Sequence, residues 1–77
     1  MNEIEYAKQT SILLKEAIKD FESIPDLISI EKRIPIVDLE KQNLDIQKII
    51  EECSKLNIST KKHTLKKEKY LIFILNA

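Results

Sequence analysis

The sequence predicts a small α+β domain. An apolar heptad seam runs through the first 22 residues, a second helical stripe strengthens from residue 46, and a β-branched and aromatic run closes the chain at residues 70–75. The 77 residues form one domain over residues 1–77. A chain of this size buries roughly 60–65% of the surface it exposes when unfolded, which is enough for one core.

The first helix is expected at residues 2–22. Ile4, Ala7, Ser11, Leu14, Ile18 and Phe21 are spaced 3, 4, 3, 4, 3, and Leu13, Ala17 and Ile24 add a second row. Asn2 is placed to cap it, with Glu5 three residues on as in a capping box. Glu3 and Glu5 complement the positive end of the helix dipole. Pro25 keeps Ile24 out of the helical region and marks the stop. The bland reading of the seam is a core face. The sharper one is a dimer interface through Ile4, Ala7, Leu14, Ile18 and Phe21, although the second row is wider than a two-helix seam needs.

Residues 24–30 are read as a short turn or helix, followed by a strand at residues 33–37. Ile28, Ile30, Ile34 and Ile36 share one parity with Lys32 between them, and Pro35 restricts the strand to an edge or a bulge. Asp38 is an expected N-cap for the stripe Leu39, Ile46, Ile49, Ile50, Cys53 and Leu56. Asn43 or Asp45 offers a cap for a separate second helix, so residues 38–56 hold either one helix or two. Glu51 and Lys55 form a favourable i, i+4 pair. Asn57 is the best C-terminal residue available without Gly, because Asn tolerates the left-handed conformation. A hairpin follows, with residues 58–64 as the outer strand and residues 69–75 as the inner, near-fully buried one. Its turn is read as Leu65, Lys66, Lys67 and Glu68.

The chain contains no Gly, which excludes Walker loops, dinucleotide fingerprints and nucleophile elbows. It also directs any hairpin toward a longer loop or a type I turn. Cys53 is the single cysteine, so no intrachain disulfide or cysteine-based zinc cluster arises, and a reducing cytoplasmic location is expected. The N-terminal residues lack the apolar core of a signal peptide, and residues 70–75 fall far short of the roughly 20 needed to span a bilayer. No membrane association is expected.

Formal net charge is zero, yet it is unevenly spread. Residues 1–31 carry three basic and seven acidic groups, residues 32–57 carry five of each, and residues 58–77 carry five basic and one acidic. Lys61, Lys62, His63, Lys66, Lys67 and Lys69 fall within nine residues. Lysine is a compact charge suited to backbone phosphate and gives little base discrimination. With Arg33 the lone arginine, bidentate guanine recognition is poorly provided for. Two other uses compete: the lysines keep an exposed sheet edge soluble, or they meet an acidic protein. Tyr70 and Phe73 fall in the apolar run and read as core rather than as stacking platforms.

Catalysis finds little support. Cys53 lies on the inward stripe, where a cysteine behaves as a small hydrophobe, and His63 is the single histidine. Glu51 and Glu52 are adjacent in a helix and point about 100° apart, so they do not converge on one substrate atom. No metal set, cofactor or small-molecule substrate is evident.

In element order alone, the chain looks like a winged helix-turn-helix domain. That resemblance implies a second helix at residues 39–42, a turn at residues 43–45, a recognition helix at residues 46–56 and a wing at residues 58–75. It rests on no specific motif. The alternative is a split β-α-β sheet with helices on one face. The expected function is a small non-enzymatic regulatory module that contacts DNA or RNA through the basic hairpin. The alternative is a protein–protein interaction module, self-associating as a homodimer through the N-terminal helix or a sheet edge.

Overall fold

The computed structural model describes residues 2–20 and 29–76. Its elements run α1 (Glu3–Asp20), β1 (Ser29–Pro35), α2 (Ile36–Lys41), α3 (Ile46–Lys55), β2 (Ile58–Leu65) and β3 (Glu68–Asn76). This is the expected α+β order: a long helix, an edge strand, a helix split in two, and a C-terminal hairpin. Phe21 and the expected helix stop at Ile24-Pro25 lie outside the described residues.

α1 begins as its sequence dictates, with the Glu5 backbone N–H donating to Asn2 Oδ1 at 2.8 Å. Its inward face is Ala7, Thr10, Ser11 and Leu14, and it packs mainly against α3. Beside it, Tyr6 meets the ring of Phe73 at 6.1 Å between centroids.

Three expectations are corrected between residues 29 and 48. Residues 29–30 belong to β1 rather than to a turn or helix, and the strand ends at Pro35, two residues before the expected end. Ile36 and Val37 open α2 instead. Asp38 is not the N-cap, because Pro35 holds that position and Asp38 sits in the first turn. The proline ring supplies a fixed φ at that junction in place of a side-chain bond. The second helix is capped as the sequence allows: Asp45 Oδ1 accepts from the backbone N–H groups of Gln47 and Lys48 at 3.0 and 3.4 Å.

Each short helix gives way to an asparagine in the left-handed region, Asn43 at φ 58° and Asn57 at φ 64°. The break between the helices comes from Asn43 and the Asp45 cap together. Leu44, between them, is buried in the core.

The sheet order is β1-β3-β2, and β3 is antiparallel to both neighbours. β1 and β2 therefore run parallel to each other, and α2 with α3 forms the crossover between them. That order also fits a split β-α-β arrangement, so strand order does not separate the two expected topologies. Leu71, Phe73 and Leu75 of β3 share one face with Ile30 and Ile34 of β1 and with Ile58 of β2. Together with Leu39, Ile49 and Cys53 they make the core. Ile72 has the opposite parity and stands outside that cluster, yet it is 8% exposed. Arg33 and Lys61 flank it across the strands, and long basic side chains cover apolar surface with their stems.

Candidate nucleic-acid interface

The hairpin outruns the rest of the sheet. β1 ends at Pro35 opposite Tyr70, which also pairs with His63. Beyond that row, Thr64 pairs with Lys69 and Leu65 with Glu68, with no third strand beside them. This distal ribbon carries Lys66, Lys67 and Lys69, while Lys61, Lys62 and His63 lie in the rows that β1 still flanks. Lys61, Lys62, His63, Lys66, Lys67 and Lys69 are all exposed. Strand alternation distributes them over both faces. Lys62 and Lys69 share the parity of Leu71, the helix side, while Lys61 and His63 share that of Ile72, the opposite side.

The turn departs from expectation. In place of a longer loop or a type I turn, Lys66 and Lys67 close a two-residue connection with φ values of 49° and 70°. Positive φ at both central residues is the pattern of a type I′ turn, which matches the twist of paired strands and favours Asn-Gly or Gly-Gly. A residue with a Cβ pays a steric penalty in the left-handed region, roughly 1–2 kcal/mol. Glu68, the one acidic residue of the hairpin, is engaged by Tyr70, whose hydroxyl donates to Glu68 Oε2 at 2.6 Å. That bond, with lesser help from burial and the carboxylate charge, raises the phenol above its usual range.

Between the hairpin tip and the start of α2 lies a cleft of about 470 Å³. Pro35 and Val37 line it, with Asp38 and Glu40 on one side and Lys67, Glu68 and Lys69 on the other. Sequence spacing gave no signal for this juxtaposition, because the two walls are some 30 residues apart and meet only through the sheet register. A second cleft of about 390 Å³ runs between α3 and the start of β2, lined by Ile50, Ser54 and Thr60 among others.

α3 presents a balanced surface. Gln47, Lys48, Glu51 and Lys55 are exposed, and Lys55 Nζ pairs with Glu52 Oε1 at 3.0 Å, one residue from the expected partner Glu51. Near its start, the Asp45 backbone N–H donates to Glu3 Oε1 at 3.0 Å, tying α1 to the α3 cap. Backbone N–H donors, its own and that of Asp45, hold the Glu3 carboxyl below the usual carboxylate range.

Two of the residues expected to form an interface on α1 are buried in the chain's own core. Ala7 and Leu14 are 0% and 2% exposed within the chain's own core, and Ile18 is half-buried against it. Ala7 and Leu14 are therefore already covered by the chain's own fold. Ile4 is 39% exposed, and the larger exposed apolar groups on this helix are Ile12 and Leu13, at 56% and 50%.

Cys53 and His63 do not form a reactive pair. Cys53 is fully buried, and burial, aided by the Glu52 charge, pushes its thiol up to about 11. His63 is exposed on the hairpin. Among the described residues, no group of three His, Cys, Asp or Glu side chains is placed to hold a metal ion. No helix there is long and apolar enough to cross a membrane. No family model, curated protein or solved structure matches the chain.

Proposed function

We propose that the protein is a small non-enzymatic regulatory module that binds nucleic acid through phosphate contacts made by the distal hairpin. The observation that carries this is the clustering of five lysines and His63, all exposed, on one hairpin, with Lys66, Lys67 and Lys69 in the part that projects past the third strand. A ribbon with cations and few acids presents a concentrated positive potential to a polyanion, and each phosphate neutralised releases counterions. The element order and the β1-β3-β2 sheet are compatible with a winged helix-turn-helix, in which this ribbon is the wing. α3 is then poorly suited to lead the contact, because Glu51 and the Glu52–Lys55 pair leave its exposed face without excess positive charge.

The test is fluorescence anisotropy with mixed-sequence DNA and RNA at two salt concentrations. Wild type is expected to bind in the micromolar range with a log–log salt slope of about −3 to −5, as several phosphate contacts require. Changing Lys61, Lys62, Lys66 and Lys67 together to Glu abolishes that binding. Unchanged binding by this variant contradicts the proposal.

Ile12 and Leu13 support a second reading, a protein-interaction module that uses the outer side of α1. Light scattering across micromolar concentrations tests its homodimer form. A strict monomer removes it, although an acidic heterologous partner for the hairpin is a separate question.

A further inference from the structure

β2 stands at one end of the β1-β3-β2 sheet and pairs with β3 along one side only. Among the described residues, no backbone hydrogen bond from another element reaches Lys61–Leu65 on the other side. Every residue of that stretch is exposed, and none is Gly or Pro. Such an edge is a row of N–H and C=O groups ready to pair with a further strand. β1, at the opposite edge, is a poorer template. It ends at Pro35, which has no N–H to offer, and its Arg33 is held by Glu31 at 2.7 Å.

The side chains along the β2 edge select what pairs with it. Lys61 and Lys62 project to opposite faces of the sheet, so a strand laid alongside meets an ammonium on each. Carboxylates at two successive positions answer both, because opposite charges directly across a pair are favourable. One residue back, Thr60 stands on the helix side and lines the cleft of about 390 Å³ with Ile50 and Ser54. An apolar side chain at that position packs against Ile50. A second copy of the chain fits badly. Full-length antiparallel pairing of β2 with itself sets the lysines of one copy against those of the other, and like charges directly opposite are destabilising. The lysines that deter self-pairing thus favour an acidic strand.

We propose that β2 takes up an extended, acidic peptide segment of a protein partner as a fourth, antiparallel strand. Opposite Lys62, Lys61 and Thr60, in that order, the segment carries two carboxylates and then an apolar side chain that enters the cleft beside Ile50. Main-chain pairing supplies affinity and the flanking side chains supply specificity. The antiparallel sense is the more stable per residue. This use of the edge does not rest on the nucleic-acid reading. Both draw on Lys61 and Lys62, so peptide and polyanion exclude each other there.

The probe is a fluorophore-labelled peptide, Thr-Thr-Glu-Glu-Val-Thr, titrated with the full chain by anisotropy at low salt. Two further forms carry backbone N-methyl groups on one or the other alternate set of residues. Each blocks hydrogen bonding along one edge of the peptide and leaves its charge unchanged. The unmodified peptide is expected to bind, one N-methylated form to bind at least about tenfold more weakly, and the other to keep its affinity. Lys61→Glu/Lys62→Glu weakens binding by at least about tenfold, with thermal unfolding run alongside to show that the variant is folded. The control Lys8→Glu/Lys15→Glu loses much less. Serine in place of the peptide's valine weakens binding by about threefold or more, through lost apolar burial. No binding of the unmodified peptide, equal binding of all three backbone forms, equal losses in the two charge variants, or full affinity without the valine overturns the proposal.

Discussion

The two ends of the C-terminal hairpin are one continuous ribbon held by different forces. At its base, Ile58, Leu75 and Phe73 are buried under α1 and α3. At its tip, every residue from Lys61 to Lys69 is exposed and the turn sits in a strained conformation. The base is where apolar burial stabilises the fold. The tip contributes little to that burial, so its composition is open to selection for binding. A sequence that places five lysines there, two of them at positive φ, uses that freedom for charge rather than for stability.

The base is where the fold breaks. Phe73→Ala removes a fully buried ring and its contact with Tyr6, and is expected to cost about 3–5 kcal/mol in chemical denaturation. The alkaline limb follows. Burial, with the Cys53 charge adding and a Thr10 hydrogen bond opposing, raises Tyr6 to about 12. Because its folded value lies above the usual 10, the stability it contributes is fully present below about pH 10 and is lost as pH rises toward 12. Tyrosine absorbance titrated against far-UV circular dichroism checks this: Tyr6 should ionise late and together with loss of structure, and early ionisation with structure intact refutes the placement. Asp45→Ala removes the α3 cap that serves Gln47 and Lys48, with an expected cost of about 1 kcal/mol in the same denaturation assay. The smallest effect belongs to the tip: Thr64→Ala, exposed and beyond the third strand, should change stability by less than about 0.5 kcal/mol. A large loss there would erase the contrast between base and tip.

Much of this division is legible in the residues themselves. The helical seam of α1, the Asn2 and Asp45 caps, the left-handed Asn57 and the continuous apolar run of β3 each follow from local chemistry. Where prediction failed, longer-range effects decided. The seam at Ala7 and Leu14 reads first as core and, more sharply, as interface, and the position of α3 and the sheet puts these two residues in the core. Pro35 takes the capping place that Asp38 offers, because the strand runs straight into α2. Lys66-Lys67 carries no propensity for a type I′ turn. The register of β2 against β3, fixed by burial of Ile58, Phe73 and Leu75, imposes the two-residue connection on it. The cleft joining Asp38 and Glu40 to Lys67 and Lys69 comes from the same register.

The most direct test of the hairpin as binding element is an amide chemical-shift titration of the full chain with a mixed-sequence DNA duplex. The expected result is that the largest changes fall on residues 61–69, while the exposed positions of α3, Gln47, Lys48 and Glu51, move little. Changes centred on those α3 residues, with the hairpin silent, would contradict it.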